Sequence, residues 1–193
     1  DTLHRWVQST DAHTTADDTR PSTLRARLRA MPDLSTGNLY PNQVRAITNL
    51  ERSFRDNRPR ALVQGATGSG KTITAVSSIY RLIKFGGARR VLFLVDRTNL
   101  GEQAEKEFQG FRSPDDNRKF TELYNVQRLT TQTIGASSKV VITTIQRLFS
   151  LLRGDQEFAA ENEEASPFSD TATPTVQHPA ASPDYFATRG EVV

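Results

Sequence analysis

Apolar residues recur along this chain with two different periods, and the change between them falls near residue 60. Before that point the spacing is helical. Leu24, Leu28 and Met31 stand three and four residues apart, which predicts a short helix over 22–31, capped by Ser22 and stopped by Pro32. After the polar stretch 33–38, Pro41 suits a first helical turn, and Val44, Ile47, Leu50 and Phe54 form one apolar stripe. From residue 60 onward, short apolar runs alternate with helical stretches, as in βαβ units that share a parallel sheet. Ala61-Leu62-Val63 reads as a strand, and 72–85 as a helix whose inner face carries Ile73, Val76, Ile79 and Ile83, ended by Gly86-Gly87. The unbroken run Val91 to Val95 reads as a buried central strand. Leu100, Ala104 and Phe108 mark the next helix, and Lys139 to Thr143 a further strand. Ile145, Leu148, Phe149 and Leu152 mark a last helix, closed by Gly154. The section 112–135 is ambiguous, with Leu123-Tyr124-Asn125-Val126 as its candidate strand.

The two ends lack such periodicity. Residues 1–21 mix Thr, Asp, His and Arg and read as a linker with little order, while 155–193 turn to Asp, Glu, Ala, Ser, Pro and Thr and read as an acidic low-complexity tail or surface insertion. That leaves one domain over 22–154, and no internal repeat is visible. A hydrophobic fraction of 36% agrees with a compact domain carrying irregular ends. With no cysteine, disulfides and Cys-based metal sites are excluded. The longest apolar run, Val91 to Val95, is far short of the roughly 20 residues that cross a bilayer, and 1–5 do not read as a signal peptide. A soluble, cytoplasmic protein without a membrane partner is expected. The formal charge of +3 is unevenly spread: residues 1–150 hold 23 Lys and Arg against 14 Asp and Glu, and residues 151–193 hold 2 against 8. A basic body of this kind suits a polyanion, although a merely solvated basic surface would look the same.

The sharpest chemical signal is Gly65-Ala66-Thr67-Gly68-Ser69-Gly70-Lys71-Thr72, lying between the strand at 61–63 and the helix after it. Glycines at 65, 68 and 70 let backbone N–H groups curl around phosphate oxygens without side-chain collision, with Thr67 and Ser69 between them. The helix start adds its positive dipole end. Lys71 would reach the β- and γ-phosphates and the Thr72 hydroxyl would ligate Mg²⁺, so both are candidate catalytic as well as binding residues. The chain is therefore expected to hold a nucleoside triphosphate with Mg²⁺.

The wording of this loop resembles motif I of superfamily 2 helicases and translocases, and three further blocks occur in that family's order. Leu39-Tyr40-Pro41-Asn42-Gln43 is similar to the segment whose glutamine reads adenine. The Gln43 amide can accept from N6 and donate to N7, which would select ATP; a solvent-facing glutamine at a helix start is the plain alternative. The run from Val91 through Asp96-Arg97-Thr98-Asn99-Leu100 to Gln103 resembles motif Ia, and Val141-Ile142-Thr143-Thr144-Ile145-Gln146-Arg147-Leu148 resembles the adjoining Thr-Thr-Ile-Gln block. Arg97, Asn99, Thr144 and Gln146 then stand where strands meet helices and are candidate contacts to the DNA backbone, or else ordinary caps and sheet-end hydrogen bonds. Phe-Leu-Val-Asp-Arg-x-x-Leu and Thr-Thr-Ile-Gln-Arg-Leu are most similar to the motor of the restriction (R) subunit of type I restriction-modification enzymes. The resemblance covers about residues 20–155. It implies an α/β fold, a partial RecA-like P-loop domain with a parallel sheet flanked by helices. It also implies ATP and Mg²⁺ as cofactors, double-stranded DNA as partner, and methyltransferase and specificity subunits in the parent complex. Residues 1–21 would connect to a preceding nuclease domain.

Hydrolysis also needs an acidic pair after a buried strand, and arginines from a second lobe. Glu161-Asn162-Glu163-Glu164 has no apolar strand before it and reads as a solvated charge run. Asp96 ends a good strand and could be the Mg²⁺-side acid of a compact kinase-like enzyme, but Arg97 stands where a helicase acid would have Glu. The expectation is a chain that binds nucleotide and does not turn over ATP alone. A related superfamily 2 helicase of DNA repair or type III restriction, and a non-catalytic nucleotide- or DNA-binding remnant, remain alternatives.

Overall fold

The computed structural model describes residues 24–154 apart from 59 and 132. The expected linker at 1–21, the Ser22 cap and the acidic tail at 155–193 lie outside the described residues. Three helices come first: α1 over Leu24–Arg29, α2 over Pro41–Arg55 and α3 over Lys71–Lys84. Then follow β1 (Val91–Val95), α4 (Thr98–Gly110), the short α5 (Phe120–Leu123), β2 (Val126–Arg128), β3 (Val140–Thr144) and α6 (Ile145–Arg153).

The strands form a parallel sheet in the order β1-β3-β2, with Val95 opposite Thr144 and Arg128 opposite Ile142. Parallel pairing with helical crossovers is what the alternation of apolar runs and helical stretches predicts, and it is the architecture of a partial RecA-like domain. β3, an unbroken run of β-branched residues, is the central strand and is buried along its whole length. Its Val140 and Ile142 join Val76, Ile79, Tyr80 and Ile83 of α3 and Ala104 and Phe108 of α4 in one core. Phe120 lies in the middle of that core, its ring 5.0 Å from that of Phe108 in an edge-to-face pair. The inner face predicted for α3 is therefore present, with Tyr80 added and Ile73 at its margin.

Four expectations need correction. Residues 61–63 are not a strand: no strand lies beside them among the described residues, and Leu62 is 92% exposed. An apolar triplet becomes a strand only where a neighbour takes its N–H and C=O groups. Among the described residues β1 is an edge strand rather than a central one, pairing with β3 alone and leaving Leu92 and Leu94 exposed on one face. The segment 123–126 divides between the end of α5 and the start of β2. Finally, α6 is amphipathic as expected but turned over: it buries Arg147 and Ser150 and leaves Ile145, Phe149 and Leu152 exposed.

Candidate nucleotide-binding site

The loop 65–70 runs from the exposed extension at 60–64 into the first turn of α3. Gly68 and Gly70 adopt φ of 78° and 76°, left-handed values that a residue with Cβ adopts only under strain. Gly70 has a second reason to lack a side chain, because a Cβ there would collide with Gln43 Nε2. At Gly65 a Cβ would stand 2.8 Å from Ser69 Oγ and 3.1 Å from the Lys71 side chain. Backbone conformation thus calls for glycine at 68 and 70, while at 65 a side chain would displace the movable ends of Ser69 and Lys71.

Lys71 folds back over the loop it follows, its ammonium donating to the carbonyls of Ala66 at 2.9 Å and Gly65 at 3.3 Å. This holds a positive charge at the mouth of the loop while its tip stays exposed. The N–H groups of Gly68, Gly70, Lys71 and Thr72 have no hydrogen-bond partner among the described residues, and neither has the Thr72 hydroxyl. Unpaired donors at a helix start, with the macrodipole behind them, form an anion cradle. A cavity of about 620 Å³, a size that suits a nucleotide-sized ligand, lies beside the loop, lined by Asn42, Gly65, Ala66, Ser69 and Lys71 on one side and by Ala46, Leu50 and Ile79 on another, while Gly68, Gly70, Thr72 and Gln43 stand outside its lining. These residues fit a triphosphate. No group of three or more His, Asp or Glu side chains stands ready to hold a metal among the described residues. Mg²⁺ would therefore rest on Thr72 and on phosphate oxygens.

Gln43, predicted to read adenine, sits beside this loop at the start of α2 and is only 3% exposed. Its Oε1 accepts from the Tyr40 N–H at 2.9 Å, closing the first turn of α2, and its Nε2 donates to the Ser69 carbonyl at 3.4 Å. The amide is thus buried between the start of α2 and the loop, which corrects the alternative of a solvent-facing glutamine. Asn42, which sequence reasoning passed over as a site residue, donates to the same Ser69 carbonyl at 3.2 Å. The only signal for it in the sequence is its place beside Gln43.

The sheet-end candidates lie together at the carboxyl ends of β1 and β3, because the register sets Val95 beside Thr144. Arg97 is the extended residue before α4, Asn99 is its second residue, and both are exposed. Arg97 makes only a loose 3.8 Å pair with Asp96. Thr144 is 3% exposed, and its hydroxyl caps α6 by accepting from the Arg147 N–H at 3.2 Å. Gln146, half-buried, follows in the first turn. Arg128, at the same end of β2, is held by Glu105 at 3.1 Å and Glu102 at 3.7 Å; nothing in its sequence context singled it out.

A separate titratable cluster lies at the carboxyl end of α3, away from the phosphate loop. The Asp115 carboxylate accepts from Lys84 Nζ and from the Tyr80 hydroxyl, each at 2.6 Å. The hydrogen bonds from Lys84 and Tyr80 hold the Asp115 carboxyl below its ordinary range. Burial works against the Lys84 charge, yet its bonds to Asp115 and Tyr80 leave the ammonium above its usual pKa. A second cavity of about 290 Å³ adjoins this cluster and touches none of the loop residues.

Comparison with known proteins agrees with this geometry. The model of the type III restriction enzyme res subunit family matches residues 36–171, spanning α2, the loop and the sheet. Among characterised proteins, the chain is 35% identical over 117 residues to the type I restriction enzyme EcoKI endonuclease subunit of Escherichia coli K12, an alignment covering 61% of this chain and 10% of that protein. It is 31% identical over 117 residues to the SauCOLORF180P endonuclease subunit of Staphylococcus aureus COL, covering 61% and 12%. It is 30% identical over 164 residues to the EcoAI endonuclease subunit of Escherichia coli, covering 75% and 20%. The matched part is thus a fifth or less of each relative's length. The chain belongs to the type III restriction enzyme res subunit family, and its relatives among characterised proteins are the endonuclease subunits of type I restriction enzymes.

Proposed function

We propose that this chain is the ATP-binding part of the DNA-translocating motor in a type I restriction endonuclease subunit. The observation that carries the reading is the loop at 65–72, which holds two left-handed glycines, unpaired backbone N–H groups and the Lys71 ammonium within eight residues. A bound Mg²⁺–ATP would supply the phosphoanhydride whose hydrolysis drives movement. Toward it, Lys71 would exchange its hold on two carbonyls for phosphate oxygens, and Thr72 would offer its free hydroxyl to the metal. The Gln43 amide would meet the adenine edge. Arg97, Asn99 and Gln146, with Thr144 fixing the start of α6, would face the DNA backbone from the sheet end, a set of contacts that positions the duplex without reading its sequence. The methyltransferase and specificity subunits belong to this reading as partners of the parent complex, as does a cytoplasmic location. No helix among the described residues is long and apolar enough to cross a membrane.

Turnover requires an acidic pair and a second lobe in addition to these residues, so binding without hydrolysis is the activity expected of the chain by itself. Calorimetric titration with Mg²⁺–ATP tests the reading. Saturable binding weakened at least about tenfold by Lys71→Ala is expected from loss of a charge-assisted contact. No binding by the wild-type chain, or equal binding by the variant, overturns it.

A further inference from the structure

We propose that Asn42 is a positioning residue for phosphate binding, which holds the peptide between Ser69 and Gly70 with its N–H turned into the loop; this rests on the nucleotide-site reading above. In a trans peptide the carbonyl and the N–H point in opposite directions, so fixing one fixes the other. The Ser69 carbonyl is taken by two side-chain amides, Asn42 Nδ2 at 3.2 Å and Gln43 Nε2 at 3.4 Å. The Gly70 N–H on the far side of that peptide consequently points away from these amides, and it has no partner among the described residues.

This peptide needs such a restraint. On its carboxyl side it is bordered by Gly70, at positive φ, and glycine lacks the Cβ that would oppose rotation of the plane there. A peptide turned the other way would present a carbonyl to the phosphate in place of a donor, converting an attraction into a repulsion. The extension at 60–64 gives no ladder of hydrogen bonds from which to brace the loop, so the bracing comes across from the first turn of α2. The two amides are not equivalent. Gln43 also caps the Tyr40 N–H, whereas Asn42 is exposed and makes no other hydrogen bond among the described residues. Asn42 can therefore be changed with little effect on the fold, and its effect on the loop can be read separately.

The test uses the full chain with Asn42→Ala and the near-isosteric Asn42→Leu, which keeps the shape and adds no charge but cannot donate. Mg²⁺–ATP, Mg²⁺–GTP and Mg²⁺–tripolyphosphate are the probes, titrated calorimetrically. Both variants are expected to bind ATP and tripolyphosphate about threefold to tenfold more weakly, the effect of one hydrogen bond. The ATP-to-GTP ratio and the thermal midpoint should stay at their wild-type values. In ¹⁵N-resolved NMR the Gly70 amide proton of the wild type is expected to move downfield on adding tripolyphosphate, and to move less in both variants. Unchanged tripolyphosphate affinity in the two variants, or an altered ATP-to-GTP ratio with unchanged tripolyphosphate affinity, overturns the proposal. A wild-type chain that binds none of the three probes overturns the nucleotide-site reading itself, and this proposal with it.

Discussion

Arg81 of α3 and Glu51 of α2 form a buried ion pair, Nε to Oε1 at 2.5 Å, with the two side chains 6% and 4% exposed. The same guanidinium donates to the carbonyls of Pro32 and, at 3.2 Å, Asp33. One side chain thus fastens the nucleotide helix to α2 and to the segment leading into it. Removing one partner leaves a buried charge without compensation, which costs about 3–5 kcal/mol. Urea denaturation should show Glu51→Gln and Arg81→Met each strongly destabilised. The double variant should lose much less than the sum of the two.

Gly70→Ala places a Cβ against Gln43 Nε2 and imposes a left-handed conformation worth about 1–3 kcal/mol of strain. Loss of Mg²⁺–ATP binding together with a lowered thermal midpoint is the expected result. Binding at wild-type affinity would contradict the close approach of α2 to the loop.

Thr72→Ala removes a hydroxyl that has no hydrogen-bond partner among the described residues, so stability should change little. Affinity for ATP should become nearly independent of Mg²⁺, while the wild type binds more tightly with the metal present. Parallel calorimetric titrations with and without Mg²⁺ would decide it.

Gln43→Glu keeps an oxygen to accept from the Tyr40 N–H but cannot donate from its end. The new carboxylate is buried against the Ser69 carbonyl, so a lowered thermal midpoint is expected even though the helix start keeps its acceptor. The preference for ATP over GTP should shrink together with ATP affinity, as measured by competition between the two nucleotides. An unchanged preference would remove Gln43 from base recognition.

Asp115 supplies a pH dependence. Its carboxyl is held below the ordinary value by hydrogen bonds from Lys84 and Tyr80, so the folded state binds this proton less readily than the unfolded chain. The stabilisation is complete above the unfolded value of about 3.9 and is lost as pH falls through the lower folded value. The stability difference between wild type and Asp115→Asn, followed by denaturation at successive pH values, should be constant near neutrality and close as the solution is acidified below about pH 4.

What could be read from the sequence followed the kind of interaction that specifies each part. The loop was legible to the residue, since each glycine answers a local geometric demand and Lys71 and Thr72 stand at fixed chain distances from it. The α3 core face and β3 were legible because their periods reflect burial directly. The extension at 61–63 and the edge position of β1 were not, because pairing depends on which strand arrives alongside and an apolar run carries no record of its neighbour. Thr144 showed itself as a polar residue at a strand end, but the Arg147 N–H that takes its hydroxyl is visible only in three dimensions. α6 was read as amphipathic and is, yet periodicity states that a helix has two faces without stating which one meets the protein.

The bare extension at 60–64 bears on how motion is distributed in the molecule. Its amides have no ladder partner, so they should exchange with solvent quickly, whereas those of α3 beyond Thr74 lie within a packed helix and should exchange slowly. The phosphate cradle sits on the boundary between these regimes, tethered on one flank by α2 and on the other by nothing regular. Ligand binding there would slow exchange in a segment that begins almost unprotected, and would carry that protection toward α2 before it reached the sheet.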